Sequence, residues 1–322
     1  MKKELTYLET IKMISEVKKI FESQLEKRLG LTKVGSPLFV KKSSGLQDDL
    51  SGKEEAVGFT KCDEKFEIVH SLAKWKREAL GKYEFPLHTG LYTDMKAIRK
   101  DEEVDATHSL YVEQWDWEKV IDKSDRTIDY LKETVRSIYK SIRQTSIIMK
   151  QKYHFLTLDL PKTIYFITSQ ELEDLYPDKD PKMREELITK EKKAVFIIGI
   201  GDKLKSGMPH DLRSPDYDDW SLDGDLMIYD KVLGKALELS SMGIRVDEKS
   251  IVEQLEKSDT MEKLSLPYHQ KIVKKELPYT IGGGIGQSRL FMLLLEKSHI
   301  AEVQSSSWED KVEKKLQDLK IL

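Results

Sequence analysis

Residues Thr280–Lys297 read TIGGGIGQSRLFMLLLEK. Three consecutive glycines, Gly282, Gly283 and Gly284, stand before a strongly apolar, helix-like run, Leu290–Leu295. Without side chains there, the backbone can come close to a flat or bulky ligand. A helix starting near Gly286 would direct free amide donors and its positive dipole end towards an anion. Arg289, on the first turn, adds a permanent cation suited to a phosphate or carboxylate. The segment is not a Walker loop, because no Gly-Lys-Ser/Thr follows. Nor is it a dinucleotide fingerprint, because Arg289 stands where the last glycine of GxGxxG belongs. The competing reading is a tight strand-to-helix junction, with the leucines as its buried face.

Outside this segment, composition sets the bounds. The chain has 322 residues, 39% of them hydrophobic and 34% charged, with a net charge of −3. That suffices for a sizeable core and suits a single catalytic domain spanning 1–322. A mildly acidic balance argues against general nucleic-acid binding, which uses a basic face. One cysteine, Cys62, excludes an intramolecular disulfide and a cysteine-based zinc site, and fits a reducing, cytoplasmic compartment. The start, MKKELTYLETIK, lacks the apolar core of a signal peptide, and no apolar run nears the ~20 residues of a membrane span. A soluble protein without membrane contact is expected.

Helical spacing runs from Tyr7 to Leu29 through Ile11, Ile14, Val17, Phe21, Leu25 and Leu29, and Gly30 is a natural stop. A short strand, Leu31–Val34, is closed by Pro37. Ser71 is placed to cap a helix over Leu72–Gly81. Leu91–Ile98 and Ser109–Trp115 read as strands joined by a charged loop, and Thr127–Tyr153 as a long helix. Thr163–Thr168, Ala194–Ile200, Gly224–Tyr229 and Lys235–Met242 read as strands, Glu248–Lys257 as a helix, and Thr280–Ile281 as a last strand feeding a glycine turn. Neighbouring strands joined by loops predict an α+β fold, a mostly antiparallel central sheet flanked by helices, and not a regular βαβ series.

Four clusters carry chemistry. Gln47-Asp48-Asp49-Leu50-Ser51-Gly52 is a polar, glycine-flanked loop, which as a bland alternative is a solvated turn. In His70-Ser71-Leu72-Ala73-Lys74-Trp75-Lys76-Arg77, Ser71, Lys74 and Lys76 gather at a helix start with no hydrolytic triad in view. In the hairpin, Arg99 leaves one strand, while Gln114 and Asp116 alternate with Trp115 and Trp117 on the returning one and so share a face. The last cluster is acidic: Asp216, Asp218, Asp219, Asp223, Asp225 and Glu238. An acid inside an apolar strand, as at Asp225 and Glu238, is costly unless paired or metal-bound. Hard carboxylate oxygens beside phosphates suit Mg²⁺; salt bridges to Arg245 and its neighbours are the alternative.

In this order the clusters resemble the catalytic core of class II aminoacyl-tRNA synthetases. The helix–strand–Pro37 segment resembles that family's first signature motif, the Arg99 hairpin its second, and the glycine strand with Arg289 its third. HSLAKWKR, GLYTDMKAIR, YVEQWDWE, SQELEDLYPD, SPDYDDWS, ELSSMGIRVD and TIGGGIGQSRL together resemble the A-type, ammonia-dependent asparagine synthetases over nearly the whole chain. The stretch after Trp220 is short, passing directly to Asp223-Gly224-Asp225.

The resemblance implies ATP-dependent synthesis of L-asparagine from L-aspartate and ammonia through a β-aspartyl-adenylate, releasing AMP and pyrophosphate. It implies Arg99, Ser240, Gly284 and Arg289 for the nucleotide, and Ser71, Lys76, Gln114, Asp116 and Asp218 for aspartate. It also implies Asp225 and Glu238 for Mg²⁺, Asp48 near the reacting carboxyl to handle the ammonium proton, and a homodimer. Asp48, Arg99 and Arg289 are the residues given catalytic roles. A tRNA-charging enzyme and an idle paralogue are the nearest alternatives. A glutamine-dependent synthetase would call for an amidotransferase nucleophile, commonly an N-terminal cysteine, whereas Cys62 is internal.

Overall fold

The computed structural model describes residues 5–50 and 54–322. Ser51 and Gly52 of the polar loop lie outside the described residues. Helix α1 (Tyr7–Leu29) opens with a Thr6/Glu9 capping box and ends on Gly30 in the left-handed conformation. It leads into β1 (Leu31–Lys33). A small sheet follows, β2 (Phe39–Lys41), β3 (Gly58–Lys61) and β4 (Glu64–Ile68), then α2 (Ala73–Lys82) and the hairpin β5 (Gly90–Ile98) and β6 (Tyr111–Val120). Helix α3 (Ile128–Lys152), capped by Thr127, precedes β7 (Tyr165–Thr168), α4 (Ser169–Leu175), α5 (Pro181–Lys192) and β8 (Ala194–Ile198). A long hairpin, β9 (Asp218–Asp230) and β10 (Lys235–Arg245), is followed by α6 (Ser250–Lys257) and α7 (Pro267–Val273). Strand β11 (Thr280–Gly286), α8 (Gln287–Leu295) and α9 (Asp310–Lys315) complete the chain.

The main sheet has the order β1-β5-β6-β11-β10-β9-β8-β7. Only the outer pairs, β1/β5 and β7/β8, are parallel. This is the expected α+β, mostly antiparallel architecture. Alternation along β6 decides what each face of the sheet does. Trp115 and Trp117 point to one side, into a core shared with α1, α3 and α8, where Trp115 meets Phe21 at 4.7 Å and Phe291 at 5.7 Å between ring centroids. Gln114, Asp116 and Glu118 therefore face the other side.

The structure corrects several expectations. Gly282–Gly286 form a strand and not a turn; Gly282, Gly283 and Gly284 have ordinary negative-φ or extended backbone. The glycines answer to their neighbours: a methyl on Gly282 would collide with the Glu118 carboxylate, and one on Gly284 with the Gln114 amide. Ser71 is not the cap of α2, whose first turn starts after Leu72; its hydroxyl is committed to Asp48. In α1, Thr10 and Met13 are buried where Ile11 had been expected, and Ile11 is half exposed. Strand β9 runs unbroken through the short stretch after Trp220.

Candidate active site

Strands β6, β11 and β10 lie side by side and form the floor of a cavity of about 430 Å³. Asp48, Ser71, Lys76, Arg99, Gln114, Asp116, Asp218, Glu238, Ser240, Gly284 and Arg289 all line it; Asp225 does not.

The centre of the floor is a buried ionic network. Lys76, on α2, has no exposed surface. Its ammonium pairs with Asp116 and donates to the carbonyls of Trp117 at 2.9 Å and Gly283 at 3.1 Å, with Glu118 at 3.7 Å. All three of its donors are thus used within the protein. The amide of Leu72 donates to the other Asp116 oxygen at 3.0 Å, so the start of α2 is tied to β6. Arg245, from β10, reaches across bare Gly282 to Glu118 at 2.7 Å and pairs with Asp218. Its guanidinium lies 5.6 Å from the centroid of the Tyr217 ring.

Burial alone would raise the Glu118 carboxyl. The attraction of Arg245 and Lys76 outweighs it and holds the group below the usual carboxylate range. A carboxyl depressed in the folded state stabilises the fold above its unfolded pKa of about 4.3 and loses that contribution as pH falls through the folded value. Glu118→Gln is therefore expected to lower the melting temperature most at neutral pH, with the gap from the parent narrowing below about pH 4. Thermal melts across pH check this; a gap that widens on acidification would contradict it.

Asp48 is buried on the loop between β2 and β3. Its Oδ2 accepts from Ser71 Oγ at 2.6 Å, its Oδ1 from the Leu50 amide at 2.9 Å, and its carbonyl lies 2.9 Å from His70 Nδ1. The half-buried Tyr217 phenol is pushed up by desolvation, with the charges of Asp48 and Asp218 adding to it.

Two arginines enter from separate motifs. Arg99 follows the last residue of β5 and donates to the carbonyl of His70 at 3.3 Å; its buried Nε has no hydrogen-bond partner among the described residues. Arg289, in the first turn of α8, donates to the carbonyls of Glu238 at 3.0 Å and Thr107 at 3.3 Å. Among the described residues neither guanidinium is consumed by a close carboxylate: Glu102 stands 4.0 Å from Arg99, and Glu238 3.8 Å from Arg289. Ser240 Oγ donates to the carbonyl of Gly284 at 2.8 Å, which joins the two residues expected at the nucleotide.

Asp225 has a different setting. Its Oδ1 accepts from Arg213 at 2.6 Å, and burial, with Glu238 also nearby, pushes its carboxyl up. Arg245, the alternative salt-bridge partner for the acidic cluster, pairs with Asp218 and with Glu118 but not with Asp225. Among the described residues no three metal-ligating side chains converge on a point. Sequence reasoning passed over Arg213, Tyr217 and the Glu118–Arg245 pair. The available signal was the two charges inside strands, Glu118 and Arg245, each needing a partner.

Comparison with known proteins places this geometry. The family model described as aspartate–ammonia ligase matches residues 8–320. An aspartate–ammonia ligase of Clostridium tetani is 54% identical over 97% of this chain and 92% of its own. One of Clostridium perfringens is 57% identical over 95% and 92%, and one of Fusobacterium nucleatum 55% over 96% and 94%. Among solved structures, asparaginyl-tRNA synthetase of Pyrococcus horikoshii, complexed with asparaginyl-adenylate, matches with a TM-score of 0.67 at 14% identity, over 92% of this chain and 67% of that one. The corresponding complex from Entamoeba histolytica gives 0.65 at 13%, over 92% and 66%. The fold is thus that of the class II synthetases, and the sequence match spans nearly the whole chain. The chain belongs to the aspartate–ammonia ligase family.

Proposed function

We propose that this cavity converts L-aspartate, ATP and ammonia into L-asparagine, AMP and pyrophosphate by way of β-aspartyl-adenylate. The observation that carries the reading is the convergence on one cavity of two arginines without close carboxylate partners and a buried carboxylate network, from motifs far apart in sequence. Asp116 and Asp218 offer acceptors to the substrate's ammonium and Gln114 an amide to a carboxylate, while Lys76 and Ser71 hold Asp116 and Asp48 in place. Arg99 and Arg289 face the phosphates, and Ser240 and Gly284 the nucleoside.

In the first step an oxygen of the β-carboxylate attacks the α-phosphorus, and the bond to the pyrophosphate oxygen breaks. Such a transfer requires positioning and charge neutralisation more than a covalent catalyst. In the second step ammonia attacks the acyl carbon and AMP departs with the carboxyl oxygen. Asp48 accepts the proton that ammonium must lose, with Ser71 fixing its carboxylate. Asp48→Asn is expected to slow the ammonia-dependent half-reaction about 10²-fold or more while sparing pyrophosphate exchange. Normal ammonia turnover across pH in that variant would remove Asp48 from this role.

Mg²⁺ suits the hard oxygen donors of Glu238 and Asp225, which would hold it, and it would supply neutralisation of phosphate charge. The half-exposed apolar residues Tyr7, Leu8 and Ile11 on α1 support a homodimer, and a sedimentation mass of one chain would contradict it. The whole chain acts as one catalytic domain without nucleic acid. A lone exposed thiol, Cys62, suits the cytoplasm, and cell fractionation checks that placement.

The adenylate route is tested with aspartate labelled with ¹⁸O in its β-carboxylate. One labelled oxygen per turnover is expected in AMP. Unlabelled AMP would rule the route out.

A further inference from the structure

Arg213 lies in the segment before β9, a tenth exposed, at the wall of the cavity. Its guanidinium donates to Ser241 Oγ and to Asp225 Oδ1, the latter at 2.6 Å, and its Nε stands 3.3 Å from Asp223 Oδ2. Asp223 and Asp225 are two apart on β9, so they leave the strand on the same side. Asp223 has no exposed surface and Asp225 keeps 13%. Among the described residues Arg213 is the only lysine or arginine within ion-pair distance of either. One guanidinium thus serves two carboxylates, one buried and one half-buried, and the latter is the residue proposed above for the metal.

We infer that Arg213 is the resident counter-ion of Asp225 and competes with the divalent cation for it, so that metal enters this site only together with the nucleotide. The inference rests on the proposed placement of Mg²⁺ at Asp225 and Glu238. A guanidinium and a divalent cation cannot both occupy the same carboxylate oxygen, and they repel each other. Bare metal would have to break this largely buried ion pair and leave the guanidinium with Asp223 and Ser241 alone, which is unfavourable. A nucleotide changes that balance. Its phosphates carry the negative charge that a displaced guanidinium needs, in the cavity Arg213 already lines. Metal and nucleotide then bind with positive coupling, and each must raise the other's affinity by the same factor.

Manganese is the probe, followed by the loss of the free aqueous ion's electron paramagnetic resonance signal. Titrations are made on the parent, Arg213→Gln, Arg213→Lys and Asp225→Asn, each with and without a non-hydrolysable ATP analogue. Without nucleotide, the glutamine variant is expected to bind Mn²⁺ about tenfold or more tighter than the parent. The gain on adding the analogue should shrink correspondingly. Arg213→Lys keeps a cation without the fork and should fall between them; it replaces the glutamine variant if that one does not fold. Mn²⁺ binding no tighter than in the parent, in whichever variant folds, would overturn the inference. Asp225→Asn separates the two readings. If it leaves nucleotide-dependent Mn²⁺ binding intact, the metal placement itself fails. If it abolishes that binding while Arg213→Gln brings no gain, only the counter-ion role fails.

Discussion

Arg289→Ala is expected to lower aspartate-dependent ATP–pyrophosphate exchange by about 10³-fold, the scale seen when a preorganised donor or arginine is removed from a phosphoryl-transfer site. The side chain is held by two backbone carbonyls, of Glu238 and Thr107, so its position does not depend on a carboxylate that would cancel its charge. Only part of Arg289 is buried, with 21% of the side chain exposed, and it lies in the first turn of α8, beyond the core contacts of Leu290–Leu295. The variant should therefore keep the parent's melting temperature to within a few degrees. Arg289→Lys should recover a minor share of the rate, because a point charge cannot replace the planar fork. Unimpaired exchange in the alanine variant would remove Arg289 from the nucleotide site.

Lys76→Met is expected to do the reverse, damaging stability and aspartate binding together. Methionine matches the length of the stem and removes only the ammonium. Asp116 and Glu118 would then face each other with Arg245 as the remaining neutralising cation. Removing one member of a buried charge network costs about 3–5 kcal/mol, most of it from the charges left behind. Burial pulls the Lys76 ammonium below its ordinary range against the attraction of Asp116 and Glu118. Adding Asp116→Asn to the variant should restore part of the lost stability, as the orphaned charge is gone. It should not restore aspartate affinity, since Asp116 is itself proposed as a substrate ligand. Urea unfolding and aspartate titration by calorimetry read the two effects separately. If the single variant folds as stably as the parent, the ionic floor is not a structural determinant.

How far the sequence carried these conclusions depended on whether a feature was local. Helices α1 and α3 were legible because a 3.6-residue stripe lies within each segment, with Gly30 as the stop of α1. The two faces of β6 were legible for the same reason, through the alternation of Gln114 and Asp116 with Trp115 and Trp117. The glycine segment misled because glycine signals a turn in isolation. Here it is required by side chains from other strands, Glu118 and Gln114, that lie over it. Strands β2 and β3 of the small sheet escaped because β2 is three residues long and every residue of β3 is exposed, leaving no buried face to set a pattern. Arg245 and Glu118 pair across 127 residues, and Arg213 stands in a segment with no periodicity. Asp225 could be recognised as an acid out of place, but its partner could not be found before the chain was folded.

The most direct test is product stoichiometry. The protein is incubated with Mg-ATP and L-aspartate, with either ammonium or glutamine as the nitrogen source. Asparagine, AMP, ADP and pyrophosphate are then quantified. Asparagine, AMP and pyrophosphate in equal amounts, with ammonium as the nitrogen source, are the expected result. No asparagine from ammonium, or ADP in place of AMP, would contradict the account.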